Sequence, residues 1–171
     1  MNQVKFKKKN IACFLDRDGV INIDIGYLHK VEDFQWIKGA KEAIKLLNKK
    51  NFKVIVVTNQ SGVGRGFYKE KDIISLHSWM NEILIKNDSF IDDFFYSTEI
   101  PNNSELSRRK PSPKMIEEAI KKYNLDHDQC FLVGDKNTDL EAAKKAKIKG
   151  FLFDGKNLLV TIEKILKDLN F

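Results

Sequence analysis

At 171 residues, 42% hydrophobic and 32% charged, the chain has the size and composition of one folded domain and not of a disordered segment. No stretch approaches the roughly 20 apolar residues that span a bilayer, and the basic opening MNQVKFKKKN has no apolar core behind it. Neither a membrane helix nor a secretory signal is therefore expected, and the cytoplasm is the expected location; the net charge of +6 fits either a nucleic acid partner or a site that draws in small anions.

Residues 11–15, IACFL, form a short apolar run that stops at Asp16 and Asp18, the pattern of a buried parallel strand. A polar loop at 22–38 leads to a helical pattern at 40–50, with Ala43, Ile44 and Leu47 on one face. VIVVT at 54–58 predicts a second strand, followed by a glycine-containing loop at 60–68 and a helix at 69–86 carrying Ile73, Leu76, Met80, Ile83 and Leu84. FIDDFFY at 90–96 is a weaker strand, interrupted by two aspartates, and the third polar loop covers 98–113. Beyond it come a helix at 115–123, a strand at 131–134, a helix at 140–146, a strand at 150–153 and a last helix at 158–169.

Strands alternating with helices of this length predict an α/β fold with a mostly parallel sheet and helices on both faces, one domain over 1–171. In such a sheet, ligands bind beyond the carboxyl ends of the strands, and all three polar loops follow strand ends. Cys13 and Cys130 each lie in an apolar run and read as reduced core residues. The lysines are spread along the chain, with KFKKKN the only dense cluster, and no basic stripe is interleaved with aromatics as in single-strand binders.

Asp16 and Asp18, in FLDRDGVIN, stand two apart at a strand end, so in extended backbone both carboxylates address one volume. Two anions that close need a cation or a shared proton. The strand at 131–134 ends in Asp135, Lys136 and then Asp139, which either shape a turn and cap a helix or join Asp16 in holding magnesium through oxygen. Thr58, Asn59, Gln60 and Ser61 close the second strand, where a hydroxyl and exposed N–H groups can cradle a phosphate or simply form a polar turn. In RRKPSP, Lys110 can supply a point charge to a phosphoryl group and Arg109 a bidentate grip on a second anion.

The ordered set LDRDGV, VVTNQSG, RKP and VGDKNTD resembles the haloacid dehalogenase superfamily of phosphotransferases, from Ile11 to about Phe153. Within it, LDRDGVINIDIGYLHKVEDFQWIKGA and VTNQSGVGRGFY are similar to the branch of heptose bisphosphate and histidinol phosphatases, whose members lack a cap domain. The resemblance implies a capless Rossmann-like fold and magnesium-dependent phosphomonoester hydrolysis through an aspartyl-phosphate. The substrate expected is the 7-phosphate of heptose 1,7-bisphosphate, with histidinol phosphate, or non-catalytic phosphosugar binding, as alternatives.

It further implies Asp16 as nucleophile, Asp18 as general acid and base, and Thr58 and Lys110 as phosphoryl-binding residues. Magnesium would be held by Asp16, the Asp18 main-chain carbonyl and Asp135, with Lys136 or Asp139 in support, and Asp24, Ile25, Gly26 and Tyr27 would contact the sugar. A phosphorylated small molecule is the expected partner, with no nucleic acid or membrane, and the chain is expected to be a monomer. The branch carries a structural zinc on a C-x-H and a C-x-C pair before R-K-P. Here Ser97, Glu99, Leu106 and Arg108 stand at those positions, so no structural zinc is expected.

Overall fold

The computed structural model describes residues 10–102, 104 and 106–171, so most of the basic cluster at 5–10 lies outside the described residues. Strand β1 (Ala12–Leu15) is buried throughout, and its two-residue alternation divides the core. Cys13 and Leu15 join one apolar cluster with Val54, Val56, Phe131 and Val133, while Ala12 and Phe14 join another with Ile55, Val57 and Leu132. These partners come from β2 (Lys53–Asn59) and β4 (Phe131–Gly134), so the three central strands carry apolar side chains on both faces.

With β3 (Asp93–Ser97) and β5 (Lys149–Leu152), the strands form a parallel sheet of order β3-β2-β1-β4-β5. Helices α1 (Ala40–Lys49), α3 (Glu70–Ile85) and α6 (Leu158–Asp168) cover the first face through Ile44, Leu47, Leu76, Met80, Ile162 and Leu166. Helices α4 (Lys114–Tyr123) and α5 (Asn137–Lys145) cover the second through Ile116, Ala119, Ala142 and Ala143. Between β1 and α1 lie only loop and one 3-10 turn, Val31–Asp33, with no inserted domain. No described helix is long and apolar enough to cross a membrane.

Two boundaries differ from the expected ones by three residues, for identifiable reasons. Strand β3 begins at Asp93 rather than at 90, because the N–H groups of Phe90 and Ile91 are taken by the side chains of Asn48 (2.9 Å) and Asn81 (2.8 Å) instead of a neighbouring strand. Helix α5 begins at Asn137 rather than at 140, because Asp139 Oδ2 accepts from the Lys136 N–H at 3.0 Å and caps a polar first turn. The loop at 60–68 also contains a short helix, α2 (Ser61–Gly64).

Register decides what meets at the carboxyl edge. Leu15 lies beside Val56 of β2 and Val133 of β4. The residues that follow, Asp16, Thr58 and Asp135, therefore emerge at one edge of the sheet, as parallel pairing requires.

Candidate active site

A cavity of about 990 Å³ opens at this edge, and its wall includes Asp16, Asp18, Thr58, Arg109, Lys110 and Asp139. At its floor Lys110, only 3% exposed, reaches through the loop to three oxygens. Its Nζ lies 2.6 Å from Asp139 Oδ1 and 3.0 Å from Asp16 Oδ1, and donates to the Val57 carbonyl at 2.7 Å. Burial alone would lower the Lys110 pKa, but Asp16 and then Asp139 outweigh it and hold the group above its ordinary value. Asn59 clamps the Lys110 main chain from both sides: its Oδ1 accepts from Lys110 N at 2.9 Å and its Nδ2 donates to Lys110 O at 3.1 Å.

One lysine does not neutralise the carboxylates around it. Burial pushes Asp16 up to about 7 despite Lys110, with Asp139 and Asp18 adding to the rise, and burial raises Asp135 as well. Carboxylate oxygens of Asp16, Asp135 and Asp139 all lie within 4.8 Å of one another, and Asp135 Oδ1 is buried with no hydrogen-bond partner. Backbone shape makes room for this cluster. Gly19 has φ +88°, and a Cβ built on it would stand 2.3 Å from Asp135 Oδ2, so only glycine fits. An orphaned buried oxygen among oxygen-only donors, with excess negative charge, suits a hard divalent cation such as magnesium.

Asp18 also lines the cavity, though not for the reason that alternation suggests. Strand β1 ends at Leu15 and the chain turns at once, with Ile21 N–H bonded to Arg17 O at 2.8 Å. Asp18 accepts from Asn22 Nδ2 (2.9 Å), from Gln60 Nε2 (2.8 Å) and from the guanidinium of Arg17. Gln60 also donates to Thr58 Oγ1 at 2.9 Å and accepts from Tyr68 OH at 3.0 Å, so its amide is spent inside the protein. Arg17 and Asn22 escaped the sequence reading. The one signal was a basic residue between two aspartates, and alternation turned it away from the site.

On the opposite rim Asp24 pairs with Lys136 at 3.0 Å and accepts from Gly26 N–H at 3.0 Å, drawing the 24–27 loop over the cavity. Gly26 and Tyr27 reach the wall, and Tyr27 packs edge-on against Phe67 with centroids 4.8 Å apart. Ile25 is 52% exposed and lies off the wall, while Ser61 lies on it at the start of α2. His29 stacks on Tyr68 rather than facing the cavity.

The positions where a zinc would be held carry a different device. Leu106 is 83% exposed, and Arg108 is committed to Glu118 at 2.6 Å, so neither position offers a zinc ligand. Instead the Glu99 carboxylate accepts from Ser107 Oγ, from the Arg108 N–H at 2.9 Å and from Asn102 Nδ2 at 3.3 Å. These bonds, Ser107 first, hold the Glu99 pKa below its ordinary value. The Glu99 carbonyl accepts from Arg109 Nη1 at 3.2 Å, which ties the same residue to the cavity wall.

The chain matches the haloacid dehalogenase-like hydrolase family over residues 5–153. It is 43% identical over 143 residues to D-glycero-alpha-D-manno-heptose-1,7-bisphosphate 7-phosphatase of Photorhabdus laumondii, covering 80% of this chain and 78% of that one. It is 38% identical over 164 residues to the corresponding beta-anomer phosphatase of Rhodopseudomonas palustris, covering 92% and 91%. Among solved structures, the D,D-heptose 1,7-bisphosphate phosphatase of B. bronchiseptica, complexed with magnesium and phosphate, superposes with a TM-score of 0.81 at 27% identity, covering 94% of this chain and 99% of that one. Sheet order, a carboxylate cluster beyond β1 and β4, a buried lysine from the third loop and sequence identity over most of the chain agree: the protein belongs to the haloacid dehalogenase-like hydrolases.

Proposed function

We propose that the protein hydrolyses a phosphate monoester through an aspartyl-phosphate on Asp16, and that its substrate is D-glycero-D-manno-heptose 1,7-bisphosphate, which loses its 7-phosphate. The chemistry rests on the Asp16 carboxylate at the cavity floor, 3.0 Å from the buried Lys110 ammonium; the sugar rests on the relatives' names. Asp16 attacks phosphorus, and the bond to the sugar oxygen breaks as Asp18 delivers a proton to it. A water then passes a proton to Asp18 and attacks the aspartyl-phosphate, releasing inorganic phosphate and regenerating both carboxyl groups.

Thr58 and Lys110 hold the moving phosphoryl group. The Thr58 oxygen accepts from Gln60, which leaves its own hydroxyl hydrogen to donate. Asp16, the Asp18 carbonyl and Asp135, supported by Asp139 and Lys136, would hold magnesium, which would supply charge to offset Asp16 and the phosphate. Asp24, Gly26 and Tyr27 face the sugar. Phosphate release from both anomers of the bisphosphate, heptose 7-phosphate, histidinol phosphate and a 3′-phosphorylated oligonucleotide, each with and without magnesium, tests the reading. The bisphosphate with magnesium should lead, and faster release from any other substrate overturns the assignment.

Arg109 is assigned to the second phosphate. It lines the cavity beside Lys110 and donates to protein through Nη1 to one carbonyl. Arg109→Ala should raise KM for the bisphosphate by about 1.5 to 3 kcal/mol, the worth of hydrogen bonds to a charged group. Turnover of p-nitrophenyl phosphate should barely change, and equal losses on both substrates would show that Arg109 supports the site without reading the substrate.

No structural zinc is part of this proposal, because a carboxylate hub at Glu99 occupies the place of thiolate ligands. Purified protein should contain no stoichiometric zinc, and a zinc-selective chelator should leave its Tm unchanged, whereas removing magnesium should stop activity. One equivalent of tightly held zinc would refute this.

A further inference from the structure

Directly beneath Asp18 lies a charge that the proposed chemistry does not use. Arg17 is 0% exposed, and a guanidinium can remain there only if its charge and N–H groups are matched. Its Nη2 donates to both Asp18 oxygens at 2.9 Å, and its Nε donates to Oδ1 at 3.2 Å. The same Nη2 reaches Leu28 O at 2.8 Å and Gln60 Oε1 at 3.2 Å. Its Nη1 lies 3.4 Å from Nε2 of His77, a buried residue of α3.

His77 is suited to that place only when uncharged. Burial, and then Arg17, push its pKa down to about 2, so the ring is neutral. A guanidinium has no acceptor, so Nε2 is the accepting atom. The ring is in turn fixed by stacking on Phe94, centroids 4.2 Å apart and planes 14° apart. A brace thus runs from β3 and α3 through His77 and Arg17 to Asp18, and the planar fork sets both the position and the plane of the carboxylate.

We propose that Arg17, braced by His77 and the Leu28 carbonyl, is a positioning residue that aims the Asp18 carboxylate for proton transfer. The inference rests on the reading of Asp18 as acid and base. The Arg17 main-chain N–H donates to Asp16 Oδ1 at 2.7 Å, a bond that side-chain substitution leaves in place, and the only reacting group its side chain meets is Asp18, so the effect of changing that side chain should pass chiefly through Asp18. Misplacing a catalytic group by about 1 Å costs on the order of 100-fold in rate, and that is the loss expected in kcat for Arg17→Gln, with KM changed less than about threefold. Arg17→Lys should not rescue it, because an ammonium restores the charge without the fork.

A double-mutant cycle on magnesium-loaded full-length enzyme tests this, with kcat measured by phosphate release. In an Asp18→Asn background, Arg17→Gln should cost less than about threefold, since the group it aims is already gone. His77→Phe, which keeps the ring on Phe94 and deletes the acceptor, is run through the same cycle and decides the question should Arg17→Gln fail to fold. Losses of equal factor with and without Asp18 would overturn the inference alone and mark the brace as purely structural. An Asp18→Asn enzyme with wild-type turnover would overturn the reading of Asp18 itself, and the inference with it.

Discussion

Asp16→Asn is expected to abolish phosphate release while leaving a folded protein. The side chain keeps its shape and loses its nucleophilic charge, so no aspartyl-phosphate forms. A general acid or base alone contributes about 10²- to 10⁴-fold, so turnover above roughly a hundredth of wild type would mean that Asp16 is not the nucleophile. Stability should move the other way. In metal-free protein the Asp16 pKa is raised to about 7, first by burial, so the folded state holds its proton more tightly than the unfolded chain. Stability therefore falls as pH rises from the ordinary carboxylate range through about 7, and Asn removes that fall. Thermal melts in a chelator at pH 8 should show the variant at or above wild type. With magnesium added, only wild type should gain the full rise in Tm that selective binding to the folded state confers.

Lys110→Met should lose both stability and turnover, and the two losses can be separated. The ammonium is the buried cation between Asp16 and Asp139, and removing one partner of a buried ion pair costs about 3 to 5 kcal/mol. Adding Asp139→Asn removes one stranded charge and, through its amide oxygen, can still cap α5, so the double variant should recover much of the lost stability. Turnover should stay down by roughly 10²- to 10³-fold on every substrate, because the charge that meets the phosphoryl group is still missing. Recovery of activity together with stability would show that Lys110 matters only for packing.

What the sequence disclosed, and what it concealed, follows from how far each interaction reaches along the chain. IACFL and VIVV announce buried strands because every residue in them is apolar, and the polar residues that follow, Asp16 after the first and Thr58 after the second, mark the edge where the cavity opens. Lys110 was legible by type, but its two buried carboxylate partners were not, since Asp16 and Asp139 come from the ends of other elements. Arg17 was obscured by the assumption that strand geometry persists past Leu15; the turn that begins there swings its side chain under Asp18. Asn59 and Gln60 announced themselves as polar residues beside a phosphate cradle. Their amide partners, the Lys110 main chain and Asp18, could be identified only once the loops were in place.

The carboxylate hub in the third loop changes what that loop depends on. A loop cross-linked by a metal gains order by mass action, in proportion to the logarithm of the free metal concentration over its dissociation constant. Glu99 is part of the chain, so its contribution has no such concentration term and does not decline when metal is scarce. It is linked to protons instead: its folded-state pKa is lowered, so the stabilisation is complete above the unfolded carboxylate's range and lost only as pH falls through the lowered value. Near neutrality the Glu99 bonds to the segment carrying Arg109 and Lys110 are therefore at full strength, and under the zinc-free proposal turnover should depend on added magnesium and not on the supply of transition metals.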